Sequence, residues 1–309
     1  MYDLIIIGGG PGGVAAGVYA ARKKINAAVI TDSFGGQSLV SNGIENWIGT
    51  RSISGFDLAK SLEDHLRAQT GIDIIEGELV TGVTKRDDGT FVVATRGGKT
   101  LETKYVLLAS GSRRRRLGVP GENEFDGKGV VFCTTCDAPL FGGKTVAVVG
   151  GGNSALEGVL DVLQYAPKVY LLVRSEVLRG DPVTQEKVKS HPNVEVMWNT
   201  VVTEIRGGGQ PPFVNGIKYK NVKTGEEKDL ALDGVFIEIG LTPNSDFVKD
   251  LVRLDEYGHV VVDHKTQQTS CPGIWAAGDV SDVLYDQNNI SVGDAIKATL
   301  NIYDKIKKS

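Results

Sequence analysis

Cysteine is scarce in this chain: 309 residues carry three, Cys133, Cys136 and Cys271. That excludes a framework of structural disulfides. With two of the three arranged as C-x-x-C, it points to a reducing compartment in which a disulfide would turn over rather than brace the fold. Histidine is almost as sparse, with His65, His191, His259 and His264, and none stands at ligand spacing from another, so a zinc site built on Cys133 and Cys136 lacks its remaining ligands. Long apolar runs are missing too. Nothing approaches the ~20 apolar residues a membrane helix needs. The apolar start of the chain is too short and wrongly flanked for a signal peptide, which leads to the expectation of a cytoplasmic protein without a membrane partner. A formal charge of -4 leaves no electrostatic footprint for nucleic acid. What remains is an ordinary globular composition, 41% apolar and 23% charged, at a length suited to about two domains.

Glycine, by contrast, is plentiful and clustered. The opening stretch "YDLIIIGGGPGGVAAGVYAARKKINAAVIT" reads as strand, turn and helix, with Gly8, Gly10 and Gly13 satisfying G-x-G-x-x-G and Pro11 inside the turn. The first glycine permits the tight turn, the second lets a pyrophosphate approach the backbone, and the third lets the helix pack closely on the strand. A second apolar run ends near Asp32, about 20 residues on, where an acid can bond a ribose hydroxyl. The pattern recurs in "KTVAVVGGGNSALEGVLDVL", with Gly150, Gly152, Asn153, Ser154 and Ala155 in the loop. Here the residue at the separation of Asp32 is Arg174, and an arginine at that point can pair with a 2'-phosphate. Two loops on one chain suggest two dinucleotides. Near the C-terminus "GIWAAGDVSDVL" ends a strand on Gly278 and Asp279, a pair suited to holding polyol hydroxyls.

The order G-x-G-x-x-G, "GGQ" (35–37), "IENW" (44–47), "ASG" (109–111), "CTTCDA", G-x-G-x-x-A and "AAGD" resembles the low-molecular-weight thioredoxin reductases across essentially the whole chain. It is also similar to the reductase half of the alkyl hydroperoxide reductase flavoprotein, within the class II pyridine nucleotide-disulfide oxidoreductases. The resemblance implies an α/β fold with two Rossmann-like dinucleotide-binding domains of the three-layer ββα type. An FAD domain would span 1–115 and resume at 246–309, with the NAD(P)H domain and its C-x-x-C inserted at 116–245. The punctuated stretches "RRRRLGVPGENEF" and "GLTPNSDF" are candidate hinges. Short alternating stretches, "TFVVATRG" and "GIKYKN", read as appended antiparallel strands, and Ile296, Leu300, Tyr303 and Ile306 fall at helical spacing in a closing helix.

On the same resemblance FAD is held by Gly8, Gly10, Pro11, Gly13, Asp32, Gly36, Gln37, Asn46, Ala109, Gly111, Gly278, Asp279 and Gln287. NADPH is held by Gly150, Gly152, Asn153, Ser154, Ala155, Arg174, Ser175 and Arg179. Cys136 would be the flavin-facing thiol, Cys133 its partner and Asp137 the acid that handles protons in exchange, although Asp137 could instead cap the helix that follows. In the larger glutathione reductase class the redox pair lies near the N-terminus; here it precedes the second nucleotide loop. Thiols and hydride donor would then share a domain and reach one flavin alternately by rotation between domains. The implied partner is thioredoxin or a thioredoxin-like protein, and the implied assembly a homodimer. The departures concern the donor. Where NADPH-dependent relatives carry H-R-R-x-x-x-R, this chain has Val173-Arg174-Ser175 and then Arg179, which leaves NADH or ferredoxin as alternative donors. Ala138 replaces a glycine after C-x-x-C-D, and Asp286-Gln287-Asn288 stands where R-Q-A is usual. The Arg113–Arg116 run reads as a solvated face, with docking of an acidic partner as the alternative.

Overall fold

The structure, a computed structural model, describes residues 1–40 and 43–308; the side chains of Val40, Thr135 and Cys136 lie outside that description. The chain forms two compact units. One comprises Met1–Arg113 with Thr242–Ser309 and the other Arg114–Leu241, so the second is an insertion in the first.

In the first unit, parallel strands lie side by side in the order Ile72–Glu76, Ala27–Thr31, Tyr2–Ile7, Thr100–Leu108 and Ile274–Ala276. The central strand Tyr2–Ile7 is apolar from Leu4 onward because both of its faces are covered. Leu4 and Ile6 pack with Val14, Val18, Leu66 and Ile302 from helices Pro11–Arg22, Gly55–Arg67 and Asn288–Ile306. Ile5 and Ile7, one residue out of phase, pack with Val83, Phe91 and Val93 on the opposite face. Those residues belong to the antiparallel strands Val80–Lys85 and Phe91–Thr95, which continue onto Thr100–Leu108. The layers are therefore helix, parallel sheet and antiparallel ribbon.

The closing helix Asn288–Ile306 differs in phase from its sequence pattern. Its buried stripe is Asp294, Ala295, Ala298, Thr299 and Ile302, while Tyr303 and Ile306 only flank the core. The reason is close packing on Pro11–Arg22: a Cβ on Gly12 would sit 3.1 Å from the Ser291 carbonyl oxygen and 3.7 Å from the Ala295 Cβ, so only small side chains fit along that line. Beneath it Trp275, 1% exposed, donates its Nε1–H to Asn301 Oδ1 at 3.1 Å and meets Tyr105 edge to face.

The second unit repeats the plan. Its parallel sheet runs Val194–Trp198, Lys168–Val173, Thr145–Val149, Gly234–Ile237, Val130–Val131. Helices Asn153–Val162 and Pro182–Ser190 cover one face through Leu156, Val159, Val162 and Val188. The antiparallel meander Thr200–Gly208, Phe213–Asn221, Glu227–Ala231 covers the other through Val202, Ile205, Val214 and Ile217. Asp181 caps the Pro182–Ser190 helix by accepting the Thr184 N–H at 3.0 Å, and Pro182 occupies the first position, where a missing N–H costs nothing. The protein thus has two Rossmann-like dinucleotide folds of α/β class, one inserted in the other. No helix among the described residues is long and apolar enough to cross a membrane.

Candidate functional site

Within the first unit the carboxyl ends of Tyr2–Ile7 and Ala27–Thr31 open on a cavity of about 720 Å³. Its floor is the glycine turn, shaped by two steric requirements. Gly8 adopts φ +122°, and a Cβ there would lie 2.2 Å from the Ala109 carbonyl oxygen; a Cβ on Gly13 would lie 1.9 Å from the Gly8 carbonyl oxygen. Gly10, by contrast, has only the Gly36 Cα at 3.9 Å in its Cβ direction, and Gly111 has nothing within 4 Å. A pyrophosphate needs that open approach at the start of a helix, and Gly10 offers no capping side chain that would compete for the helix's first N–H groups.

Gly8, Gly10, Pro11, Asp32, Gly36 and Gln37 all line this cavity, as do Ala109, Gly111, Gly278 and Asp279 from the other end of the sheet. Gly13 lies beneath the turn rather than on the cavity wall. Asn46 and Gln287 stand off the wall too and bond each other, Asn46 Nδ2 to Gln287 Oε1 at 3.0 Å, while Asn289 donates to the Asn46 carbonyl at 2.7 Å. Gln37 is fixed by its Nε2–H donating to the Ser112 carbonyl at 2.9 Å. Burial pushes the Asp279 carboxyl above the usual range, and the nearby Asp286 carboxylate adds to the shift against the hydrogen bond from Ser291 Oγ, 3.3 Å away. Sequence reasoning missed Thr81, Asn244 and Ser291, which also line the cavity. Asn244 and Ser110 exchange two hydrogen bonds of 2.8 Å across a long sequence separation, a pairing with no local signature.

The second unit holds its own cavity of about 620 Å³, lined by Gly150, Gly152, Ser154, Arg174, Ser175 and Arg179. Gly152 is open in its Cβ direction, whereas Gly150, at φ +152°, would bring a Cβ to 2.2 Å from the Glu238 carbonyl oxygen. Asn153 and Ala155 stand off the wall. Asn153 Oδ1 accepts the Asp181 N–H at 2.7 Å, and Ala155 is fully buried under the loop. Arg174 and Arg179 are exposed and make no side-chain hydrogen bond or ion pair among the described residues. Ser175 Oγ is spent on the Val177 carbonyl at 2.8 Å. Arg115, Arg116, Glu238 and Ile239 also line the wall and were not singled out as nucleotide residues by sequence.

The redox motif lies in the same unit. Cys133 precedes the short helix Thr134–Asp137, and the Asp137 N–H closes that turn on the Cys133 carbonyl at 3.1 Å. The Cys133 sulfur is in a disulfide, and the free cysteine among the described residues is the buried Cys271. The Cys136 side chain lies outside the described residues. Asp137 makes no capping bond to the turn Ala138–Phe141, which removes that alternative use of its carboxyl. Burial holds Asp137 above the usual carboxylate range, with the Arg114 guanidinium pulling the other way.

These two cavities and the cysteine motif agree with a comparison of sequences. Residues 2–297 match the pyridine nucleotide-disulphide oxidoreductase family. The chain belongs to that family. Membership makes this oxidoreductase a user of FAD and a pyridine nucleotide, and the open glycine cradles on both cavities fit such groups. It is 43% identical over 308 residues to the F subunit of the Pseudomonas putida alkyl hydroperoxide reductase, covering 99% of this chain and 58% of that protein. It is 41% identical over 303 residues to a Bacillus subtilis NADH dehydrogenase, covering 98% of this chain and 58% of that one. The chain therefore spans little more than half the length of these relatives. Among solved structures, a thioredoxin reductase from Lactococcus lactis superposes with a TM-score of 0.82 at 32% identity over the whole of both chains. This oxidoreductase is thus a thioredoxin reductase-like flavoprotein.

The arginine run of the oxidoreductase is not a free basic face. Arg113 donates to Asn244 Oδ1 at 2.9 Å and Asp246 Oδ2 at 2.8 Å, and Arg114 pairs with Glu238 at 3.5 Å. Arg116 pairs with Asp126, bonds Asn123 at 3.1 Å and lies over the Phe132 ring. Partners within each unit, rather than solvent alone, account for the run.

Proposed function

We propose that this protein passes electrons from NADPH, through FAD held in the first unit and a Cys133–Cys136 disulfide, to a thioredoxin-like protein. The observation that carries the reading is the C-x-x-C turn, Cys133 followed by helix Thr134–Asp137, in the same unit as a second dinucleotide cavity. Bound FAD would supply two-electron exchange between a hydride donor and a disulfide. The chain's part is to hold it: Gly10 and Pro11 at its pyrophosphate, Asp32 at a ribose and Asp279 at the ribityl chain. Asp137, whose carboxyl burial holds above the ordinary carboxylate range, would deliver a proton as a thiolate departs. NADPH is favoured by Arg174 and Arg179, two cations on the cavity rim with no partner among the described residues. The test is steady-state reduction of thioredoxin by the FAD-loaded protein with each nucleotide in turn; no thioredoxin turnover with either would reject the reading.

A second reading has its own support. The 43% identity to an alkyl hydroperoxide reductase component points to a protein serving a peroxide-reducing system, and the relative named NADH dehydrogenase points to NADH. Turnover with NADH, coupled to a thioredoxin-like module of a peroxide reductase and not to free thioredoxin, would favour it.

A further inference from the structure

Glu238 is a buried acid that neither nucleotide binding nor disulfide exchange has yet been given a use for. It follows the Gly234–Ile237 strand at 9% exposure and lines the nucleotide cavity, where its carbonyl oxygen leaves no room for a Cβ on Gly150. Its carboxylate turns toward the redox helix and accepts the backbone N–H of Thr134, the amide next to Cys133. Arg114 faces it at 3.5 Å. Asp161, on helix Asn153–Val162, faces it from behind Thr134, whose Oγ1 lies 3.4 Å from Asp161 Oδ2. Asp137 shares the field of the same Arg114 guanidinium. Arg115, Arg116, Arg174 and Arg179 line the same cavity.

We propose that Glu238 is a positioning residue that ties the protonation of the Cys133–Cys136 couple to the nucleotide cavity, acting through the Thr134 amide. The inference rests on reading those cysteines as a redox pair. Reduction by an external dithiol breaks the S–S bond, makes two thiols and leaves the reductant as its own disulfide. To the extent that one product thiol ionises, negative charge grows beside the Thr134 amide and makes the Glu238 carboxylate harder to hold. Burial already pushes Glu238 up to about 7, so the added charge makes reduction draw one further proton from solvent onto Glu238 just above that pH. Reduction is then favoured below pH 7 relative to above it. A net anion such as NADP+ entering the cavity would strengthen the effect by disfavouring the carboxylate, moving it to higher pH.

The test compares FAD-loaded wild type with Glu238→Gln, which keeps an acceptor for the Thr134 N–H but does not titrate. Both are equilibrated anaerobically against reduced and oxidised dithiothreitol from pH 6 to pH 9, with and without NADP+, and thiols at Cys133 and Cys136 are counted by alkylation and mass spectrometry. The ratio of wild-type to variant exchange constants should fall severalfold as pH rises through 7 to 8, and NADP+ should shift that fall. A ratio flat across the range overturns the proposal, as does a fall that NADP+ leaves unmoved. If the pair resists reduction in both proteins, the proposal fails together with the redox reading, and the flat-ratio outcome keeps the two failures apart.

Discussion

Replacing Arg174 by alanine tests how the nucleotide is read. The side chain stands on the rim of the 620 Å³ cavity at the end of the Lys168–Val173 strand, exposed and without an ion pair among the described residues. It is therefore available to a 2'-phosphate without first breaking an internal contact, unlike Arg116, which is held by Asp126 and Asn123. A charge-assisted hydrogen bond is worth about 1.5–3 kcal/mol, or roughly tenfold to a little over a hundredfold in affinity. Exposure on the rim screens the pair and places the expected loss at the lower end, about tenfold. Arg179 retains part of the attraction and Ser175 adds nothing, since its hydroxyl is committed to Val177. The assay is anaerobic titration of FAD-loaded protein, reading the dissociation constants of NADPH and NADH. Arg174→Ala should weaken NADPH about tenfold and leave NADH nearly unchanged. Equal weakening of both nucleotides, or of neither, refutes the assignment of Arg174 to the 2'-phosphate.

Other expectations follow from the same geometry. Cys133→Ser and Cys136→Ser should each lower disulfide reduction by orders of magnitude while FAD stays bound, measured by thioredoxin turnover beside flavin absorbance. Gly13→Ala places a methyl 1.9 Å from the Gly8 carbonyl oxygen unless the turn moves, so the yellow absorbance per chain should drop on purification. Asp137→Asn should slow exchange on the order of a hundredfold, and the wild-type rate should decline as pH rises through the raised Asp137 value, a limb absent from the variant's profile. Burial on folding pushes Glu238 from the ordinary 4.5 up to about 7. Between those values the folded chain holds a proton that the unfolded chain has released, so stability falls as pH rises from 4.5 to 7, by up to about 3 kcal/mol from this group. Thermal melts across that window should be flatter for Glu238→Gln.

The parts of the molecule legible in the sequence are those set by local sterics and period. Leu4 to Ile7 had to be a strand covered on both faces, and Gly8, Gly10 and Gly13 had to turn it into a helix. The repeat at Gly150 located the second nucleotide fold for the same reason. The closing helix was legible as a helix but not in phase, because its close approach to Gly12 at Ser291 and Ala295 turns Ala295 and Ala298 inward rather than the larger Ile296 and Leu300. Arg113, Arg115 and Arg116 are exposed, as a solvated face requires, but the acidic partners of Arg113 and Arg114 were not legible because Asp246 and Glu238 lie more than a hundred residues away. Glu238 was invisible for a related reason: its meeting with Thr134 depends on the strand order of the second unit's sheet, which no window of sequence encodes.

The central claim is that nucleotide electrons reach the C-x-x-C pair. Its most direct measurement is anaerobic reduction of the FAD-loaded protein with NADPH, followed by rapid alkylation of thiols under native conditions and mass spectrometry of each cysteine peptide. The account predicts that Cys133 and Cys136 become alkylated together, while Cys271, buried in the first unit, stays unmodified with or without nucleotide. Bleaching of the flavin with Cys133 and Cys136 still protected from alkylation would contradict it.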